Sequence, residues 1–125
     1  MTTLVFLAIA VAGGLGAAAR FVLDGLIRSA TDIRLPWATI LINISGSLLL
    51  GLVTGLAAGR VLPEAWQLIL GTGFLGGYTT FSTASFETVG LLRDRRWVAA
   101  ALNGFGVLVC SVAVAGAGLW LGLQV

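Results

Sequence analysis

Residues 71–87 read GTGFLGGYTTFSTASFE and place glycines, hydroxyls and aromatics in the middle of a long apolar run. Gly73, Gly76 and Gly77 disfavour continuous helix, and Thr79, Thr80, Ser82, Thr83 and Ser85 supply hydroxyls that cap a restarted helix or bond a passing ligand. Lipid offers no partner to unwound backbone, so such a segment is sheltered inside protein or lines a polar path. The stretch predicts a helix broken at mid-membrane around Gly76 to Thr80. Carbonyls at the end of its first half suit a cation, and amides at the start of its second half suit an anion. Glu87 follows Thr80 by about two turns and is either a pathway residue or a group near the far interface.

Working outward, composition agrees with a membrane setting: 58% of the 125 residues are hydrophobic, 10% are charged, and the mean hydropathy is +1.06. Four apolar stretches, Leu4–Ile27, Trp37–Ala58, Ala65–Leu92 and Trp97–Leu123, each supply the roughly 20 residues that cross a bilayer core. They predict an all-α membrane protein, one four-helix transmembrane domain over residues 1–125, with both termini on one side. No soluble domain is left for a nucleotide or nucleic acid, and the net charge of +2 reads as loop topology rather than a basic binding patch. The N-terminus lacks a cationic leader and reads as a retained first span. Cys110 is the only cysteine and histidine is absent, which removes thiolate clusters and the commonest metal ligand. Trp37, Trp66, Trp97 and Trp120 fall near span ends, as an interfacial belt requires.

Small residues supply packing surfaces. Ser47, Gly51, Gly55 and Gly59 form a ridge at intervals of four, with similar surfaces at Gly13, Gly14 and Gly16 and at Gly118 and Gly122. The intramembrane polar residues are Arg20, either interhelical, functional or snorkelling to the nearer interface; Asn43, one turn before Ser47; and Asn103 with Ser111 on roughly one side of the last span. An Asn at position 43 reads more often as helix glue than as a path residue.

The strings GGLGAAARF, ILINISGSLLLG, GTGFLGGYTTFST and LNGFGVLVCS, in that order, resemble the Fluc (CrcB) fluoride channels along the whole chain, and the third string is highly specific. The resemblance implies an antiparallel dual-topology dimer in the cell membrane with two fluoride pores. It also implies a structural sodium ion at the dimer centre, held by backbone carbonyls of Gly76 and Thr79 of each subunit. Asn43 matches the pore asparagine, Phe81 the first pore phenylalanine, Ser82, Thr83 and Ser111 the hydroxyl track, and Arg20 the arginine closing the first-span motif. The family commonly reads TFSTF where this chain reads TFSTA, so Ala84 stands at the second pore phenylalanine. Either the site tolerates a smaller residue, or Phe86 or Phe105 fills the gap, or a paralogous partner supplies the ring.

The chemistry is consistent with that resemblance. A small, tightly hydrated anion needs many short donors, such as Asn43, Ser82, Thr83 and backbone amides, and phenyl edges present positive partial charge. Passive export of fluoride from the cytoplasm is the implied function. No nucleophile with a histidine base, paired carboxylates or phosphate loop points to an enzyme. Two alternatives are a pore-deficient partner subunit of a heterodimer and a small proton-coupled multidrug exporter. The latter needs a mid-span carboxylate, and Asp24 lies toward the end of the first span.

Overall fold

The computed structural model describes residues 1–31 and 35–125, and every regular element among them is helical. Arg34, one of the loop arginines, lies outside the described residues. Helix α1 (Thr3–Ala30) starts where the Thr2 hydroxyl accepts the Val5 amide at 3.2 Å. Its last turn is closed by the Ser29 and Thr31 hydroxyls, which donate to the carbonyls of Leu26 and Ile27 at 2.8 Å each. Helix α2 (Trp37–Ala58) follows Pro36 and matches the predicted span residue for residue. Arg60 then turns through the left-handed region at φ 61°, which lets the Val61 amide reach back to the Leu56 carbonyl at 2.9 Å.

Helix α3 (residues 64–78) begins after Pro63 as Glu64–Gln67, widens into a π-helical stretch over Leu68–Leu75 and ends with Gly76–Tyr78. Thr79 is extended, with φ −82° and ψ 159°, and helical structure resumes in α4 (Ser82–Arg93). Arg95, at φ 56°, closes α4 much as Arg60 closes α2. Helix α5 (Trp97–Gln124) carries a second π-helical stretch over Leu102–Gly106.

Helices α1, α2 and α5 are each long and apolar enough to cross a membrane. At 1.5 Å per residue α3 and α4 rise only about 22 Å and 18 Å, so neither alone crosses a core of about 30 Å. The glycines of the third stretch differ from their sequence reading. Gly71, Gly73, Gly76 and Gly77 are all helical, and regular helix is left only over residues 79–81. The reason is packing: a Cβ on Gly77 would run into the Gly13 carbonyl, and one on Gly73 would lie 2.9 Å from the Ile9 carbonyl oxygen. Glycine serves here to bring α3 onto α1 with its helical hydrogen bonds intact, which in lipid outweighs its weak helix propensity.

The same logic joins α2 to α5, where a Cβ on Gly51 would collide with the Ala115 carbonyl and one on Gly122 would approach the Leu52 carbonyl to 2.6 Å. Ile42, Leu75 and Tyr78 form the buried core, flanked by Ala19, Leu23, Val53 and Phe74. The Phe74 and Tyr78 rings stack at 6.2 Å, and the Tyr78 hydroxyl hydrogen-bonds to Ser45 Oγ at 3.0 Å. Large apolar side chains from Phe6 to Leu123 instead lie exposed on the outer faces. That inside-out distribution suits a solvent of lipid.

Two polar grooves on either side of Thr80

The turn between α3 and α4 is held by a side chain from another helix. Asn43, on α2, donates from Nδ2 to the Thr80 carbonyl and accepts the Thr80 amide on Oδ1, both at 2.8 Å. One carboxamide thus satisfies both backbone groups of a residue that has left the helical ladder, where an unpaired group in a membrane costs several kcal/mol. The arrangement is locally supported. Ser47 Oγ donates to the Asn43 carbonyl at 2.7 Å, and Thr79 Oγ1 returns to the Leu75 carbonyl at 2.9 Å. Thr80 Oγ1 accepts the Thr83 amide at 3.1 Å, so Thr80 acts as the hydroxyl cap of α4.

A groove of about 520 Å³ opens on one side of this turn, with Asn43, Phe81, Ala84, Ser85, Asn103 and Ser111 in its lining. A second, of about 320 Å³, lies on the other side and is lined by Arg20, Asp24, Thr39, Thr80 and Thr83. Of the five residues expected along one path, Asn43, Phe81 and Ser111 therefore share the first groove, whereas Thr83 belongs to the second. Ser82 is exposed and lines neither. The turn at Thr80, whose residue borders both spaces, separates them.

Phe81 is 87% exposed in the single chain, so its ring stands at the rim of the groove. Ala84 lines the groove with no aromatic neighbour taking its place. Phe86 and Phe105 are both exposed and neither belongs to the lining. On the far side Glu87 accepts a hydrogen bond from the buried Thr39 hydroxyl and lies 3.6 Å from Arg28, whose Nε also holds Asp24 at 2.9 Å. Arg20 faces the second groove and has no ion pair among the described residues. Across the first groove Asn103 is buried, donating to Thr88 Oγ1 at 2.7 Å and to the Ala84 carbonyl at 3.5 Å.

Gly76 and Thr79 differ in their backbone. In an unbroken helix the Thr80 amide would bond to the Gly76 carbonyl, but here it is taken by Asn43, which removes that carbonyl from the ladder. Gly76 is also exposed and has no side chain to cover it. These features fit a carbonyl ligand for a hard cation, and no cluster of acidic, histidine or cysteine ligands competes for one among the described residues.

Sequence reasoning missed the Thr39–Glu87 and Asn103–Thr88 pairs. Thr39, Asn43 and Ser47 recur at intervals of four, so a polar stripe along α2 was available as a signal. The pairing of Asn103 with Thr88 joins different helices and left no periodic trace.

Apolar helices packed through glycine, with polar side chains turned inward on an uncoiled segment, define a multi-pass helical membrane protein. Residues 7–122 match the family described as CrcB-like protein, Camphor Resistance (CrcB). The chain belongs to that family. It is 57% identical over 98% of its length, and 89% of the relative's, to the fluoride-specific ion channel FluC 1 of Leifsonia xyli. Identity is 44% to FluC 2 of Cutibacterium acnes, covering 94% of this chain and 96% of that one. It is 43% to FluC of Syntrophotalea carbinolica, covering 93% and 95%.

Proposed function

We propose that this chain is the subunit of a fluoride-selective channel, which lets fluoride leave the cytoplasm down its gradient and relieves its toxicity. The observation that carries the reading is the Asn43–Thr80 pairing beside the first groove, in a chain whose relatives are named as fluoride-specific channels. It makes the protein a channel rather than an enzyme. In acid, weakly acidic HF crosses the lipid and ionises inside, and the anion needs a protein path out. Asn43 spends one N–H on Thr80 and keeps a second, which faces a space shared with Phe81 and Ser111. Amide, hydroxyl and phenyl edge are the donors with which a dehydrated fluoride is exchanged for water.

The residues 79–81 turn is then the mid-membrane break of the third span, with α3 and α4 as its two halves. The working unit is an antiparallel dual-topology dimer with two pores, in which exposed Phe81 and Gly76 meet a second subunit. Thr83 and Ser82 lie beyond the turn and serve the same ion on its way to or from the second groove. The Gly76 and Thr79 carbonyls of both subunits hold a structural sodium, whose charge supplies a fixed favourable field at the centre.

A second reading follows from Ala84, which faces the groove with no aromatic replacement: the chain is the pore-deficient partner in a heterodimer with a paralogue. The proton-coupled exporter is disfavoured by Asp24, already paired with Arg28. The test is fluoride efflux from liposomes containing this chain alone, followed with a fluoride electrode. Efflux that exceeds chloride efflux by orders of magnitude supports a self-sufficient homodimer. No fluoride efflux from a well-formed dimer overturns that form of the proposal and favours the second.

A further inference from the structure

The first groove contains a second carboxamide, this one buried, that the proposed function has not used. Asn103 is 4% exposed, on a helix whose exposed side chains are mostly apolar, and it lines the groove with Ala84 and Ser111. It falls at the end of the second turn of α5, where the helix widens over Leu102–Gly106. At 3.6 residues per turn Asn103 and Ser111 would stand about 80° apart. Each wide π turn takes in an extra residue and reduces that offset, which brings both side chains toward one space.

Its two N–H donors are unequally engaged. One is held at 2.7 Å by Thr88 Oγ1, whereas the other reaches the Ala84 carbonyl only at 3.5 Å. That carbonyl already accepts the Thr88 hydroxyl at 2.8 Å, so releasing Asn103 leaves no orphaned acceptor. A weakly held amide proton beside a small side chain, in a groove that also carries the Ser85 and Ser111 hydroxyls, is suited to an incoming anion. The methyl of Ala84 leaves room where a phenyl ring would shield it.

We infer that Asn103 is a further fluoride-contacting and specificity-determining residue, donating its second side-chain N–H to the anion where the chain has Ala84. The inference rests on the fluoride-channel reading. It gives a homodimer a replacement for the missing ring: one amide hydrogen bond, a stronger partner for a dehydrated anion than a phenyl edge.

The test combines flux with a direct probe on the wild-type dimer. In liposomes, Asn103→Ser is expected to lower fluoride efflux about tenfold and shift the fluoride-to-chloride permeability ratio, while Asn103→Gln, which keeps the amide, retains more flux than the serine variant. A purely structural residue would change protein yield without moving the ratio. In detergent-solubilised wild type, sodium fluoride titration followed by NMR is expected to shift the Asn103 side-chain amide proton, with no matching shift for sodium chloride. An unchanged permeability ratio in Asn103→Ser together with an unmoved amide resonance overturns the inference while wild-type fluoride efflux keeps the channel reading. Absence of both wild-type efflux and any fluoride-dependent shift overturns the two together.

Discussion

At the scale of single residues, Asn43 has two tasks that substitutions separate. Asn43→Leu keeps volume but leaves the Thr80 amide and carbonyl unpaired. At about 1–3 kcal/mol for each orphaned group, the expected loss is about 2–6 kcal/mol in unfolding measured in detergent. Asn43→Asp still accepts the Thr80 amide, yet when ionised it has no donor for the Thr80 carbonyl and repels the anion. Fluoride efflux is expected to fall at least tenfold more than stability alone explains, and undiminished efflux from an intact dimer would remove Asn43 from the path. Ala84→Phe probes the opposite wall. In a self-sufficient homodimer the ring covers the Asn103 amide and slows efflux several-fold, whereas a silent wild type that begins to conduct on gaining the ring would mark a chain missing its partner.

At the scale of elements, legibility followed locality. Helix α2 lies between Pro36 and Gly59 as one uninterrupted, predominantly apolar helix, and its ends were readable because proline and apolar composition are local signals. The glycines of α3 were informative for a different reason than expected. They mark where α1 must approach, and the turn falls after Tyr78 because Asn43, 37 residues away, captures Thr80 there. No inspection of residues 71–87 in isolation contains that partner. The groove was legible as a set of polar residues, but not its division, since which side of Thr80 each hydroxyl faces depends on the pitch of α4 after the turn. The glycine contacts give a prediction of their own. Gly51→Val places a side chain against the Ala115 backbone, which has no rotamer to yield, so the α2–α5 pair is expected to separate, read as loss of a monodisperse species in gel filtration. Arg60→Gly acts the other way. It relieves a left-handed residue of about 1 kcal/mol and is expected to raise thermal stability slightly.

At the scale of the whole molecule, the charges in the loops and at the helix ends bear on how copies assemble. Loops one and three, on one side in a four-span chain, carry Arg28 and Arg34 plus Arg93, Arg95 and Arg96, five in total, against Arg60 alone in loop two. Arginine in cytoplasmic loops sets orientation, so the five favour the cytoplasm and both termini outside. The bias is partly offset in structure, because Arg28 is engaged with Asp24 and lies near Glu87. An antiparallel homodimer requires the same chain to insert both ways, which a strong imbalance opposes. The hypothesis that joins this asymmetry to Ala84 is a chain of fixed orientation that pairs with an oppositely inserted paralogue contributing the second phenylalanine. Expressing the chain alone with a C-terminal reporter tests it. The heteromeric hypothesis expects nearly all reporter outside and no fluoride-conducting dimers, whereas equal labelling on the two sides, with conducting dimers recovered from the same membranes, would leave Asn103 rather than a partner's ring facing the anion across the groove.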